Sequence, residues 1–184
     1  GSTAVLVTNE GVIIVDDKLP RHFDHIVEQV KSVTAQPIRY VLNTHHHGDH
    51  TEGNLPLKQK YGCTVVGPRA EAAKIPGIDV AVGEGDVYKL GGYEVRVIDT
   101  PGHTAGQVNY YIPKARVVFT GDTLLIRGTG RTDFQNGSSR AQYDSIFNRL
   151  LKLPDETMVY PAHDYKGDTV STIGEERRYN PRLQ

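Results

Sequence analysis

At 184 residues the chain is long enough to bury the core of one domain and short for two, so a single domain over 1–184 is expected. Its 21 Lys and Arg balance 22 Asp and Glu, leaving a net charge of −1 with no basic run, which gives no electrostatic reason to expect nucleic acid or an anionic membrane surface as partner. The one cysteine excludes an intrachain disulfide, and there is neither an apolar run of about 18 residues nor a signal-peptide pattern.

Gly1 and Ser2 read as a cloning scar, which leaves room for any natural targeting segment to have been removed. The reducing cytoplasm, or a mitochondrial matrix reached by a lost leader, is the expected compartment. Residues 4–8 and 12–16 are short β-rich runs separated by Asn9-Glu10-Gly11, which predicts a hairpin. Pro20 can open a helix on which Phe23, Ile26, Val27, Val30 and Val33 share a face, and Pro37 ends it. Residues 39–43 predict a strand that delivers the chain into Thr44-His45-His46-His47-Gly48-Asp49-His50. A short helix over 55–61, a strand over 63–66 carrying a buried, inert Cys63, and a stretch punctuated by Gly and Pro through Gly85 follow.

The second half repeats the plan. A strand over 93–98 leads to Thr100-Pro101-Gly102-His103, and strands over 108–112 and 116–120 lead to Gly121-Asp122. Ser138 or Ser139 can cap a helix with Tyr143, Ile146, Phe147, Leu150 and Leu151 on one face; a strand over 158–160 then leads to His163.

Four imidazoles and a carboxylate within 44–50 are costly to bury without a cation, and His103, Asp122 and His163 each follow a predicted strand in the same way. Loops at one rim of the sheets can bring all these groups together, a joint pattern that points to a metal although each later residue alone would read as structural.

His45, His47, Asp49 and His50 meet the HxHxDH pattern, and with His103, Asp122 and His163 the chain resembles the metallo-β-lactamase superfamily over nearly its whole length. The resemblance implies an α/β fold, the αβ/βα sandwich with the metal site at one edge of the two sheets. It implies one metal on His45, His47 and His103, a second on Asp49, His50 and His163, and Asp122 between them. Residues 124–135 and 160–165, with the ending Asn180-Pro181-Arg182-Leu183, resemble the persulfide dioxygenases. That resemblance implies one Fe(II) per chain on His45, His103 and Asp122, with glutathione persulfide oxidised by O₂ to sulfite and glutathione, Tyr165 and Arg182 touching the substrate, and His47, Asp49, His50 and His163 tuning the site. The Thr44–His50 stretch and residues 75–80 are instead similar to glyoxalase II, a hydrolase of glutathione thioesters that uses two metal ions (Zn, Fe or Mn) and Asp49 beside the shared Asp122. Related lactam or lactone hydrolysis uses the same set, and a non-enzymatic metal scaffold is the least favoured alternative.

The dioxygenase reading is preferred on the length of its matching stretches. A recombined or trimmed chain fits the mosaic, and a homodimer is compatible with the sequence. Arg131 and Asp133 are expected to form a salt-bridged loop anchor without direct catalysis.

Overall fold

The computed structural model of the protein covers residues 1–184. The opening hairpin forms as β1 (Ala4–Thr8) and β2 (Gly11–Val15), antiparallel, with Thr8 opposite Gly11. A 3₁₀ turn at Pro20–His22 precedes α1 (Phe23–Val33), which buries Ile26, Val27 and Val30. The next strand, β3 (Ile38–Leu42), is parallel to β2 and stops before the histidine cluster, so His45 and His47 lie on irregular backbone. The chain then turns through α2 (Gly48–Thr51) and α3 (Asn54–Tyr61) into β4 (Thr64–Pro68). Within the stretch expected to be irregular, Arg69–Lys74 forms a 3₁₀ turn and Val80–Val82 forms β5. A three-residue strand is too short for alternation to reveal it. The first sheet has the order β1-β2-β3-β4-β5.

The second sheet has six strands. It is built from β6 (Val87–Leu90), β7 (Tyr93–Asp99), β8 (Val108–Ile112) and β9 (Val117–Gly121). A two-stranded pair, β10 (Leu124–Leu125) and β11 (Gly128–Thr129), leads toward α4 (Ser139–Asn148), whose N-terminus Ser138 caps through its hydroxyl. After that come β12 (Met158–Pro161), β13 (Ser171–Thr172) and α5 (Ile173–Tyr179), giving the order β13-β12-β9-β8-β7-β6.

Both sheets are covered on both faces, which explains why β2, β8 and β9 are buried along their whole length. Ile13, Val15, Leu42 and Val66 of the first sheet pack between the sheets against Val97, Val108, Tyr110 and Phe119 of the second. Alternate residues Val12, Ile14, Val41 and Val65 point the other way onto α1 and α3 with Cys63, whose thiol burial pushes up to about 11. Tyr111, Val118 and Val159 pack on Ile146 of α4 and Ile173 of α5. The layering is therefore αβ/βα, as expected.

The long motif at 124–135 and the chain end meet in one buried network. Glu176 on α5 is fully buried and accepts from the Arg127 guanidinium, from the Arg127 backbone N–H at 2.8 Å, from Ser171 Oγ at 2.7 Å and from Asn180 Nδ2 at 2.8 Å. Removing one partner of a buried ion pair leaves the other charge uncompensated. Glu176→Ala is expected to cost about 3 kcal/mol of folding stability, read as a lower urea midpoint at unchanged slope. A midpoint equal to that of the unaltered protein would show that the network contributes nothing.

Candidate metal centre

Five of the seven residues lie on loops that leave the C-terminal end of a strand, β3 for His45 and His47, β7 for His103, β9 for Asp122 and β12 for His163, while Asp49 and His50 lie on the short helix α2 that follows the β3 loop. The two sheets are tied at this rim by Val108 N–H donating to the Thr44 carbonyl at 2.9 Å. Gly121 has φ +50°, and a Cβ there would stand 2.5 Å from Thr44 Oγ1, so glycine lets the Asp122 loop close against the histidine loop.

His45, His47 and His103 form one triplet. His45 Nε2 is 3.0 Å from His47 Nδ1, which is 3.1 Å from His103 Nε2. The outward nitrogens fix the tautomers. His103 Nδ1 donates to the Arg131 carbonyl at 2.8 Å, and His47 Nε2 donates to Gln135 Oε1 at 3.0 Å. Thr44 Oγ1 gives its proton to Asp16 Oδ2 at 2.8 Å and can accept only from His45 Nδ1, 3.1 Å away. Three lone pairs thus face one another in a buried space, an arrangement that a cation satisfies and that neutral imidazoles alone do not. Burial first, and then the neighbouring imidazoles, push the His45 pKa well below its ordinary value and lower that of His47, so both are neutral and ready to ligate.

The second triplet is Asp49, His50 and His163. His163 Nε2 lies 3.2 Å from His50 Nε2 and 3.3 Å from Asp49 Oδ2. Asp122 Oδ2 stands between the triplets, 3.4 Å from His103 Nε2, 3.7 Å from His50 Nε2 and 3.5 Å from His163 Nε2, and its buried Oδ1 has no hydrogen-bond partner. Behind His50, Asp16 Oδ2 is 3.1 Å from Nδ1. Burial disfavours a charged His50, but Asp16, Asp122 and Asp49 outweigh it and raise its pKa to about 9. The hydrogen bond of His163 holds the Asp49 carboxyl well below the usual range. His45, His50 and Asp122 also form a triplet of their own, so the donors can serve one cation or two.

Asp16 is absent from the sequence-based set although it orients both Thr44 and His50. Its signal is two adjacent carboxylates, Asp16 and Asp17, at the end of an apolar strand, both buried. Asp16 adopts φ 57°, an uncommon conformation for a residue with a side chain, which turns its carboxylate under the histidine loop.

Tyr165 is 77% exposed and stacks on His163, ring centroids 5.5 Å apart and planes within 5°. Arg182 instead lines a cleft of about 420 Å³ with Arg131, Thr132, Tyr143 and Phe147. Tyr165 does not line that cleft. Arg131 and Asp133 pair in two-point fashion at 2.8 and 3.2 Å, both exposed, and only the Arg131 carbonyl reaches the centre.

The family model described as the metallo-beta-lactamase superfamily matches residues 1–163. A hydroxyacylglutathione hydrolase of Brucella ovis is 50% identical over 163 residues, 85% of this chain; the chain spans 62% of the length of that relative. Among solved structures, ETHE1 from Myxococcus xanthus is 36% identical with a TM-score of 0.84, covering 100% of this chain and 84% of its own. TTHA1623, solved in a di-iron-bound form, is 28% identical with a TM-score of 0.81, covering 98% and 94%.

Proposed function

The chain belongs to the metallo-beta-lactamase superfamily, and from that premise we propose that it is a two-metal hydrolase of a glutathione thioester of the hydroxyacyl type. The observation that carries this reading is Asp122 Oδ2 lying within 3.4–3.7 Å of ligand nitrogens from both triplets, as a carboxylate shared by two cations would. The identity to hydroxyacylglutathione hydrolase supports the substrate class.

His45, His47 and His103 would hold one metal and Asp49, His50 and His163 the other, with Asp122 common to both. Ions bound there would supply Lewis-acid polarisation of the thioester carbonyl and a water acidified toward neutrality. The reaction joins the water oxygen to the carbonyl carbon, breaks the C–S bond, and yields a carboxylic acid and glutathione, whose sulfur takes up a proton. Asp49, held ionised, orients the water by accepting a hydrogen bond from it. Asp16 and the Arg131 carbonyl fix the His50 and His103 rings through the nitrogens that face away from the centre. Tyr165, whose pKa is raised first by burial and then by Asp122 and Asp49, stays a phenol and offers a donor to substrate at the rim. Arg182, in its cleft, is the second substrate contact proposed, for a glutathione carboxylate.

A second reading is favoured by one observation. The likeness to ETHE1 extends through the full chain, including the 164–184 segment, which supports persulfide oxidation by a single iron on His45, His103 and Asp122. Metal analysis by mass spectrometry on protein purified without chelator, paired with assays of lactoylglutathione cleavage and of oxygen uptake on glutathione persulfide, separates the two. About two metals per chain with thioester cleavage and no oxygen uptake is the expected result. One iron per chain with oxygen consumption and sulfite release would replace the hydrolase by the dioxygenase.

A further inference from the structure

Glu71 is a buried carboxylate, 6% exposed, on the 3₁₀ turn that follows β4, and it belongs to neither triplet. Its Oε2 accepts from the His46 backbone N–H at 2.9 Å and lies 2.8 Å from His46 Nδ1; its Oε1 accepts from the Gly106 backbone N–H at 3.0 Å. His46 stands between the ligands His45 and His47, and Gly106 is on the loop of His103. One carboxylate therefore spans the two loops that furnish the first triplet. The approach is close enough to require glycine, because a Cβ at position 106 would meet Glu71 Cγ at 2.6 Å and Ala70 Cβ at 2.8 Å. Burial opposes the charge on Glu71, but the hydrogen bonds it accepts outweigh that and lower its pKa, so it is an ionised, strong acceptor for both loops. From His46 the chain of contacts continues: Gln135 Oε1 is 3.2 Å from His46 Nε2 and 3.0 Å from His47 Nε2.

We infer that Glu71 is a positioning residue that sets the separation of the His45–His47 loop from the His103 loop, and thereby the affinity of the first triplet for its metal. The inference rests on the metal-binding reading above and is independent of which reaction the centre performs. A carboxylate that only glued these loops to the fold would affect the two triplets alike, whereas the second triplet is held from the other side by Asp16.

Zinc titration with a competing chelator tests this in two backgrounds: His50→Ala, which breaks the second triplet and the His45–His50–Asp122 set and leaves the first complete, and His45→Ala, which breaks the first triplet and that set and leaves the second complete. Adding Glu71→Gln, which keeps the shape but turns an amide N–H toward one of the two donors, is expected to weaken zinc binding about 10- to 100-fold in the first background and to leave the second unchanged. Should that variant not fold, Glu71→Asp carries the same expectation, since it keeps the charge but is one methylene too short to span both loops. Unchanged affinity in the first background, or an equal loss in both, overturns the inference. Absence of zinc binding in both parent backgrounds would instead overturn the metal centre itself, and Glu71's role with it.

Discussion

Replacing Asp122 by alanine is expected to lower kcat/KM about a thousandfold, close to 4 kcal/mol of transition-state stabilisation, while the protein stays folded. Its carboxylate oxygen lies within 3.4–3.7 Å of ring nitrogens from both triplets, so on the two-metal reading its removal would take negative charge from both ions at once. Asp122→Asn preserves the volume but not the charge and should fall nearly as far. The measurement is steady-state kinetics beside metal content and melting temperature. A variant that kept more than about a tenth of its activity with both metals bound would rule out the shared-carboxylate role. Loss of activity alone does not separate hydrolase from dioxygenase, because Asp122 is a ligand in both; the metal count does.

The second large effect is in the pH dependence of metal uptake. In the metal-free protein His50 keeps its proton up to about pH 9, so an ion entering the second triplet must displace it. Below that pH the apparent zinc affinity of Asp49, His50 and His163 should fall about tenfold per unit, or roughly a thousandfold between pH 9 and pH 6. The first triplet behaves oppositely, because burial pushes the His45 pKa well below its ordinary value and lowers that of His47, and its affinity should be flat from pH 9 to pH 7. Zinc titrations across this range check both slopes, and two sites with equal slopes would refute the assignment. The same proton acts on the metal-free fold. Since the folded pKa of His50 lies above its unfolded value of about 6.5, its stabilising contribution is complete below pH 6.5 and is lost as the pH rises through about 9. Metal removal should therefore be most destabilising in alkaline buffer.

The ending Asn180-Pro181-Arg182-Leu183 and the run from Leu124 also have a structural role. Asn180 and Arg127 meet at Glu176, away from the imidazoles, and hold α5 onto the pair formed by β10 and β11. Their resemblance to persulfide dioxygenases is thus carried partly by a structural clasp. Helix α5 itself escaped a reading by periodicity because its only buried residues are Ile173 and the charged Glu176, which leaves no apolar stripe to see.

What was legible in the residues alone was the periodic and the chemically dense. Runs such as Val12-Ile13-Ile14-Val15 and Val117-Val118-Phe119 announce strands covered on both faces, and seven imidazole and carboxylate groups placed just after predicted strands announce a common rim. Both signals are local, since each is complete within a few residues. The supports of the centre are not. Asp16 reaches Thr44 across 28 positions, Glu71 reaches Gly106 across 35, and Gln135 reaches His47 across 88. Neither the adjacent carboxylates at Asp16 and Asp17 nor the stretch that ends at Gln135 says which group it will meet, and Glu71 has no period or motif to mark it; only the stacking of the two sheets decides which backbone N–H or ring nitrogen each will face. The residues alone announce which groups are able to ligate and that they share a rim; which carboxylates hold the gathered rings, Asp16 beneath one triplet and Glu71 beside the other, emerges only from the packed fold, because a buried hydrogen bond between distant loops exists only once both loops have been positioned.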